Sequence, residues 1–299
     1  MATAYVLYNK KAGDGNAQES VEPLEIIIPD KLRFIEVSEI SDYRAFFDGL
    51  KEEDYIILAG GDGTLHRFVN NIDGIKFENK VFYYPNGTGN DFAYDMGYPR
   101  ESTPFQITDY IKDLPTVTVN GKTLRFINGI GYGIDGYCCQ VGDELKKSGK
   151  KVSYTAIAIK GLLFHYKPTS ATVTVDGRTS RYERVWLVPT MNGRFYGGGM
   201  MPTPDQRRNS GELSTMIFHS SGKLKTLMMF PSIFSGKHVK YKKQVEILTG
   251  KEITVEFDRP TALQIDGETV LGISSYTARA SNGNSKTEKV AAETQYEKG

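Results

Sequence analysis

Two short glycine-rich segments combine carboxylate, hydroxyl and amide side chains in a pattern typical of phosphate chemistry. Residues 60–64 read GGDGT after the apolar run 55–59, and residues 86–91 read NGTGND after the apolar run 81–84. Where a strand passes into a helix, glycine lets the backbone approach a phosphate, and the free N–H groups of the first helical turn bind it. The two segments therefore predict loops that flank one nucleotide. Beyond the glycines, the groups we expect there are Thr88 and Asn90 as neutral donors and Asp91 as a carboxylate for a metal-bound water.

A plainer interpretation fits the same residues. GGDGT is neither a Walker A motif nor G-x-G-x-x-G, and a tight strand-to-helix turn in which Asp62 makes only local hydrogen bonds explains its shape equally well. Asp91 is also suited to cap the helix that follows, a role that a functional residue can have as well. The spacing alone leaves both interpretations open.

Short apolar runs alternate with helix-compatible stretches over the first third of the chain. Helices are predicted at 41–51, with Ser41 as the N-cap, and at 64–72. The runs predicted as strands are 4–8, 24–28, 33–37, 55–59 and 81–84. Because this alternation is typical of a parallel α/β sheet, we expect an α/β domain over residues 1–115.

After this point the pattern changes to β-hairpins. TVTVNGKTLRF (116–126), ATVTVDGRTSRY (171–182) and TALQIDGETV (261–270) each place Asn-Gly or Asp-Gly between alternating runs, the strongest short-range hairpin signal. Further strands are predicted at 183–189, 212–218, 238–248 and 252–257, and helices at 154–164 and 223–229. We expect a β-rich domain over 116–280, a polar tail over 281–299, and a ligand site in the cleft between the two domains.

The composition restricts the class of protein. A net charge of +1 over 299 residues gives no global attraction to nucleic acid, and no basic stripe with interleaved aromatic residues is present, so we expect no nucleic-acid partner. The two cysteines, Cys138 and Cys139, are adjacent, which favours a reducing compartment over a disulfide framework. No run approaches the ~20 apolar residues of a membrane span. We therefore expect a soluble, cytoplasmic protein.

Two lysine clusters bear on a peripheral membrane contact. They lie at 146–151 and 237–243, and either could meet anionic lipid headgroups or form an ordinary solvated face. The sequence leaves both alternatives open, and it leaves a homodimer open as well.

Taken in order, the motifs resemble those of one enzyme family. They are NKKAG at 9–13, GGDGT at 60–64, NGTGNDFA at 86–93 and Asp-Gly-Glu at 266–268. Together they resemble the diacylglycerol kinase catalytic-domain family, which includes bacterial soluble lipid kinases and sphingosine kinases, over residues 5–270. The resemblance implies an N-terminal α/β domain like that of NAD kinases and phosphofructokinases, and a C-terminal β-sandwich. It also implies ATP and Mg²⁺ in the cleft and a lipid substrate, first of all a diacylglycerol or related glycerolipid.

The same resemblance implies roles for individual residues. Asp62 is expected beside the transferred phosphoryl group, and either Asp62 or Asp266 is expected to accept the hydroxyl proton. We place Asp266 slightly ahead because Asp62 belongs to the phosphate loop, and Glu268 joins the catalytic group. Asp135, in the stretch Gly-x-Gly-x-Gly-x-Asp at 129–135, is expected near the acceptor head group. The implied nucleotide contacts are Asn9, Gly60, Gly61, Gly63, Thr64, Thr88, Asn90 and Gly267.

From the residues alone, the functional case for the C-terminal segments is weaker. Asp266-Gly267 is a hairpin turn like the other two, and the stretch 129–135 is equally consistent with a glycine-rich sheet edge. The family commonly shows Asn-Glu after GGDGT, where this chain has His66-Arg67. Members with a structural metal commonly carry an Asp just before a Gly in the second domain, where this chain has Asn-Ser-Gly at 209–211, so we do not expect that metal. Two rival hypotheses stay open: an NAD kinase-like small-molecule kinase, and a lipid-binding protein without phosphotransfer.

Overall fold

The computed structural model describes residues 2–10, 19, 21–87, 89–98 and 103–283. Thr88, residues 11–13 of the NKKAG motif and tail residues 284–299 lie outside the described residues, so what the sequence predicts for them stays a prediction. Within the described part of the chain, no helix combines the length and the apolar character needed to cross a bilayer.

The N-terminal half of the fold is built on a five-stranded sheet of order β2-β1-β3-β4-β5. Strands β1 to β4 are parallel, and β5 is antiparallel to β4. The strands are β1 (Thr3–Tyr8), β2 (Lys31–Glu36), β3 (Tyr55–Gly60), β4 (Val81–Pro85) and β5 (Phe105–Gln106). The helices are α1 (Leu24–Ile27), α2 (Tyr43–Asp48), α3 (Asp62–Asn71), α4 (Asp91–Asp95) and α5 (Thr108–Lys112), with a 3₁₀ turn at Val37–Glu39.

Strand β3 shows why this sheet is parallel and covered on both faces. Its residues from Ile56 to Ala59 are all buried, as expected where helices pack on either side. Helix α3 starts immediately beyond β3, and α4 starts after the loop that follows β4. The two glycine-rich segments therefore lie at the carboxyl ends of neighbouring parallel strands, which is where ligands bind in such sheets.

The C-terminal half is built on a ten-stranded antiparallel sheet. Its main path is β13-β12-β11-β8-β14-β15-β6-β7, and β9 pairs with both β14 and β10. The strands are β6 (Thr116–Val119), β7 (Lys122–Arg125), β8 (Gly129–Tyr132), β9 (Thr169–Val175), β10 (Arg178–Val185), β11 (Thr190–Met191), β12 (Leu213–Phe218), β13 (Val245–Gly250), β14 (Glu252–Ile265) and β15 (Glu268–Arg279). The helices are α6 (Ile134–Lys147), α7 (Tyr154–Lys160) and α8 (Lys223–Met229), with a π turn at Gly161–His165 and 3₁₀ turns at Phe230–Ser235 and Lys237–Lys240.

Strand β14 organises this second domain. Its first half pairs with β9 and its second half with β8, while β15 pairs with it on the other side with shifts of register. The core that results includes Tyr132, Val173, Ile217, Ile253 and Leu263, all fully buried. The expected α/β domain with a parallel sheet, followed by a β-rich domain, is confirmed.

All three hairpins predicted from Asn-Gly and Asp-Gly are present. Asn120, Asp176 and Asp266 each have a positive φ, and so does the glycine that follows each of them. Two consecutive positive φ values are the geometry that a type I′ turn requires, which explains why this signal was reliable.

Three local predictions were wrong, and one open alternative is excluded. The run 24–28 is not a strand, because Leu24–Ile27 forms α1, and the N-cap of α2 is Asp42 in place of Ser41. The first part of the run 238–248 belongs to a 3₁₀ turn, and the strand begins only at Val245. The stretch 129–135 is not a sheet edge, since β8 lies between β11 and β14 and leads into the long helix α6.

Candidate active site

The two glycine-rich loops pack backbone against backbone. A Cβ atom added to Gly87 would lie 2.4 Å from Cα of Gly61, and one added to Gly61 would lie 3.1 Å from Cα of Gly87. Gly60 is equally confined, because its Cβ would lie 2.5 Å from that of Thr64. Glycine is therefore required at Gly87 for the two loops to meet, and at Gly60 for the turn into α3. By contrast, a Cβ on Gly63 would have no atom within 4 Å.

Asp62 joins the two loops through its carboxylate. Its Oδ2 accepts a hydrogen bond from the backbone N–H of Asp91 at 2.9 Å, and its Oδ1 accepts one from the N–H of Phe92 at 2.9 Å. Asn128, from the second domain, donates its Nδ2 to Oδ1 at 3.0 Å. Asp62 thus satisfies the first N–H groups of α4 and is itself held in one orientation, while it stays only half-buried.

Asn90 uses its amide within its own loop. Its Oδ1 accepts from the N–H of Gly87 at 3.0 Å, and its Nδ2 donates to the carbonyl of Gly87 at 2.8 Å. The residue is buried and adopts a left-handed backbone with φ of 51°. Asn90 therefore shapes the loop, and its side chain is not directed at a ligand.

Asp91 connects the second loop to the other domain. Its Oδ2 accepts from the N–H of Gly198 and its Oδ1 from the N–H of Gly199, both at 2.7 Å. Burial, together with the charge of Asp62, raises the pKa of Asp91 to about 6. Two carboxylates close enough to repel one another in a partly desolvated cleft favour a cation or a proton between them.

Asp266 lies at the turn between β14 and β15, and its side chain is completely buried. Its carboxylate accepts backbone N–H groups from Ile127 at 2.6 Å, Asn128 at 2.8 Å and Gly129 at 3.0 Å, and Nδ1 of His66 at 2.9 Å. Burial alone would raise the pKa of Asp266, but the hydrogen bond and charge of His66 and the backbone donors outweigh it, so the pKa lies below its usual value. A carboxylate with four donors is well suited to hold structure and poorly suited to accept a proton.

The pair that departs from the family pattern, His66-Arg67, contacts the Asp-Gly-Glu turn. Arg67 donates Nη2 and Nε to Oε1 of Glu268 at 2.7 Å and 3.1 Å, and both side chains are largely exposed. Burial lowers the pKa of His66. The hydrogen bond and the charge of Asp266 raise that pKa by more than burial lowers it, so the net pKa is above its usual value. Helix α3 of the first domain is therefore joined to this turn of the second by two charged contacts.

A buried network that we did not predict from the sequence supports Asp62. The guanidinium of Arg208 contacts Asp95 of α4 at 2.9 Å, and its Nη2 donates to Oδ1 of Asn128 at 2.9 Å. Because Oδ1 of Asn128 faces Arg208, its Nδ2 faces Asp62. The network includes Arg208, Asn128 and Asp95, which lie in separate segments without a shared motif, so no local signal could have revealed it.

Asp62, Asp91, Asn128 and Asp266 line a cleft of about 590 Å³ between the domains. Most of the residues implied by the resemblance border this one space, and they are Asn9, Gly61, Asp62, Gly63, Thr64, Asp91, Asp135, Asp266, Gly267 and Glu268. Gly60 and Asn90 are not among the residues that line it, since both pack within the loops.

Asp135 lies where this cleft meets a second, more apolar cavity. It is in the first turn of α6, partly buried, and accepts Nε2 of Gln264 at 2.9 Å. Burial raises the pKa of Asp135 to about 6. A Cβ on Gly131 would lie 1.5 Å from Oδ2 of Asp135, so the glycine at that place in the stretch makes room for the carboxylate.

The second cavity has a volume of about 460 Å³. It shares Gly89, Asp135, Cys139, Tyr154, Gly197, Gly198 and Gly267 with the cleft. Its remaining wall is mostly apolar, formed by Ile134, Cys138, Ala158, Leu187, Met200, Phe230 and Phe234. A polar cleft therefore opens directly into an apolar pocket, with Asp135 at the junction.

Metal-binding groups are sparse in this region. Among the residues that the structure describes, no group of three or more His, Cys, Asp or Glu is arranged to hold a metal ion. Mg²⁺ at phosphate-transfer sites commonly takes one or two carboxylates, with phosphate oxygens and water as its other ligands. Asp91 fits that smaller requirement, and its role as a metal ligand stays a prediction.

Comparison with known proteins agrees with this arrangement. The sequence profile described as "Diacylglycerol kinase catalytic domain" matches residues 3–119, and the one described as "YegS C-terminal NAD kinase beta sandwich-like domain" matches residues 128–281. Proteins named "Putative lipid kinase" from Staphylococcus aureus strains Mu3 and Newman are each 26% identical over 226 residues, which cover 73% of this chain and 72% of theirs. A crystal structure of a diacylglycerol kinase from Bacillus anthracis strain Sterne shares the fold, with a TM-score of 0.65 at 21% identity over 94% of both chains.

The two profiles correspond to the two domains seen in the structure, and together they cover nearly all of the described residues. The second alone matches more than half of the chain. This chain belongs to the diacylglycerol kinase catalytic-domain family.

Proposed function

We propose that this protein transfers the γ-phosphate of ATP to a lipid hydroxyl, first of all that of a diacylglycerol or a related glycerolipid. The observation that carries the proposal is the junction of the glycine-lined cleft with the apolar cavity at Asp135. One compartment suits a charged phosphate donor, and the other suits an acyl chain.

The apolar cavity distinguishes the lipid from a polar acceptor. Leu187, Met200 and Phe230 offer no hydrogen bond to a ribose or a nicotinamide. Transfer of each CH₂ group of an acyl chain from water into such a cavity is favourable by about 0.8 kcal/mol. This favours the lipid kinase over the NAD kinase-like alternative.

The cleft side supplies backbone and carboxylate groups for ATP. Gly63, which has open space where a side chain would be, and the N-terminus of α3 suit the approach of phosphate oxygens. Asp91 would hold Mg²⁺, and that ion, when bound, would neutralise charge on the transferring phosphoryl group. Asn9 and Thr64 line the same space.

We assign the proton transfer to Asp62. Both carboxylates accept several hydrogen bonds, three at Asp62 and four at Asp266. Asp62 is only half-buried at the cleft, whereas the side chain of Asp266 is completely buried. The lipid hydroxyl would attack the γ-phosphorus, its proton would pass to the Asp62 carboxylate, and ADP would leave. This reverses the preference for Asp266 that the sequence suggested, and Asp266 becomes a positioning residue for residues 127–129.

Asp135 completes the acceptor side. Its place between the cleft and the apolar cavity suits a hydrogen bond from the lipid hydroxyl or its neighbour on the glycerol, which would hold the hydroxyl near Asp62. Glu268 is paired with Arg67, so we assign it to closure of the cleft in place of direct chemistry.

Product identity tests the proposal. Purified protein is incubated with ATP labelled at the γ-phosphate, Mg²⁺ and, in separate reactions, diacylglycerol, monoacylglycerol, a sphingoid base and NAD. We expect label in a lipid phosphate, with diacylglycerol as the best acceptor. Label in NADP would support the NAD kinase-like alternative, and ATP binding without any lipid product would support a lipid-binding protein without phosphotransfer.

A further inference from the structure

Exposed apolar side chains cluster on the elements around the mouth of the apolar cavity. Phe234 lines the cavity and is 45% exposed, so it lies at the opening. Ile159 on α7, Phe164 on the π turn, and Leu224 and Met228 on α8 are 41%, 72%, 71% and 74% exposed. We call these five residues the apolar face.

The elements that carry the apolar face are packed together. The π turn continues α7, and α8 packs beside that turn and continues into the 3₁₀ turn that holds Phe234. Lys223 ties α8 to the π turn, because its Nζ donates to the carbonyl of Leu163 at 2.8 Å. Leu224 and Met228 are four residues apart, so they project from the same side of α8.

The two chain segments that carry this face contain lysine but no carboxylate, although α6, which packs against α7, has Asp143 and Glu144 just before the first segment. Residues 145–175 and 213–245 hold 12 of the 37 Lys and Arg residues and none of the 36 Asp and Glu residues. A protein of net charge +1 therefore concentrates positive charge on the segments that also expose its large apolar side chains. Solvated surface does not require that coincidence, since mixed charges are the ordinary composition of a soluble face.

We infer that the apolar face docks on the surface of a lipid bilayer that contains anionic headgroups. Exposed Leu, Met and Phe side chains that enter the boundary between headgroups and acyl chains, flanked by lysines that meet lipid phosphates, are the composition of an interfacial anchor. A second copy of this chain is a poorer occupant, because two lysine-rich faces of the same sign repel each other. Passage of a lipid from the bilayer past Phe234 into the cavity rests on the proposed function, whereas docking does not.

The structure also separates the lysines that take part from those that do not. Lys160 and Lys225 are exposed on α7 and α8, the helices of the apolar face. Lys242 instead borders a groove that also contains Asp205, Glu212 and Glu246, so carboxylates offset its charge there. The predicted lysine cluster 237–243 is thus only in part a membrane-facing cluster.

The test is binding of the full chain to vesicles of phosphatidylcholine alone or with about one-third phosphatidylglycerol, without ATP, at about 0.1 M and about 1 M salt. We expect the protein to bind the anionic vesicles. Leu224→Gln with Met228→Gln should weaken binding by roughly tenfold or more at both salt concentrations, because the apolar contact is not screened. Lys160→Gln with Lys225→Gln should weaken it about 30-fold at low salt and much less at high salt.

Two matched controls remove the same groups elsewhere. Ile26 and Leu271 are exposed by 91% and 60% outside the apolar face, and Lys76 and Lys122 are exposed outside the lysine-rich segments. Replacing either pair with Gln should leave vesicle binding unchanged. Gln forms helices about as well as Leu and Met do, so the α8 variant should keep its thermal midpoint.

Three results would overturn the inference. They are absence of vesicle binding by the wild type, equal binding by the Leu224/Met228 variant, and a wild-type dimer in sedimentation that the Leu224/Met228 variant loses. Phosphorylation of a short-chain, water-soluble diacylglycerol separates this inference from the proposed function. If that reaction persists while vesicle binding is absent, the docking surface is wrong and the kinase assignment stands.

Discussion

The imidazole of His66 donates from Nδ1 to the carboxylate of Asp266 at 2.9 Å, although the two residues are 200 positions apart. Three backbone N–H groups also donate to the Asp266 carboxylate and stabilise its ionised form. An ionised carboxylate can only accept, so Nδ1 of His66 carries the proton. The contact joins α3, which carries the phosphate loop, to the turn that closes the cleft from the second domain. His66 therefore contributes to domain positioning at a place where the family commonly has a different side chain.

This contact makes stability depend on pH. The raised pKa of His66 means that its contribution is complete below about 6.5 and is lost as the pH rises through the folded-state pKa. The lowered pKa of Asp266 means that its contribution is complete above about 3.8 and is lost only at lower pH. We expect the wild type to exceed His66→Gln in unfolding free energy by about 2 kcal/mol near pH 6 and by less at pH 9.

Thermal or denaturant unfolding of both proteins between pH 5 and pH 9 checks this. His165→Gln, which changes an exposed histidine, is the control and should follow the wild type. A difference between wild type and His66→Gln that stays constant over this range would show that His66 does not change charge there.

Gly63 offers a test of the phosphate site that spares the fold. Its missing side chain faces open space at the cleft, so Gly63→Asp introduces a carboxylate where a phosphate should approach, without a clash in the free protein. We expect ATP affinity to fall at least about tenfold, through like-charge repulsion, with little change in the thermal midpoint. Titration calorimetry measures it, and Gly63→Ala is the matched control for bulk alone.

Gly87→Ala should behave in the opposite way, because its Cβ would lie 2.4 Å from Cα of Gly61. That variant should lose stability through the loop contact. Unchanged ATP affinity in a folded Gly63→Asp protein would place the phosphates elsewhere.

We expect the Asp135 carboxylate to lower the stability of the folded protein at neutral pH and to bind the lipid hydroxyl in the reaction. Burial raises its pKa from 3.8 to about 6, so the folded state disfavours its charge above pH 6 and does not below pH 4. Asp135→Asn keeps the shape and an acceptor for Gln264, and should therefore raise the unfolding free energy by about 2–3 kcal/mol at pH 8 and hardly at all at pH 4.

The same variant should lower kcat/KM for the lipid at pH 8 by on the order of tenfold or more, since a carboxylate accepts the hydroxyl more strongly than an amide. We also expect wild-type activity to fall as the pH drops through about 6, where Asp135 becomes protonated, and the variant to lack that fall. If Asp135→Asn instead has wild-type activity and wild-type stability at pH 8, Asp135 neither destabilises the fold nor takes part in the reaction.

Local signals in the sequence were enough for much of the architecture. Asn-Gly and Asp-Gly located three hairpins, because few residue pairs tolerate two positive φ values. The strand predicted at 24–28 was wrong, because a run of four or five apolar residues fits a helical turn as well as a strand. Helix α6 was missed because it contains two glycines, and these face neighbours: a Cβ on Gly136 would lie 1.9 Å from the carbonyl oxygen of Ala262.

For the candidate site too, the sequence predicted some features and not others. Residues that belong to a motif, such as Asp62, Asp91 and Asp266, were found in the sequence and border one cleft. What they do there depends on partners that only folding brings together. The four donors around Asp266, and Arg208 behind Asn128, come from distant segments, so the sequence could not tell an accessible carboxylate from a buried one.

Turnover of Asp62→Asn and Asp266→Asn, each with its thermal melt, tests the assignment of the reacting carboxylate most directly. In labelled-ATP assays with diacylglycerol, we expect Asp62→Asn to lose ~10² to 10⁴ in kcat while it stays folded. Asp266→Asn should instead lose about 3 kcal/mol of stability, because an amide cannot accept four donors, and should keep turnover within about tenfold of wild type where it is folded. A folded Asp62→Asn protein with near-normal turnover, beside an equally stable Asp266→Asn protein that is inactive, would contradict the account.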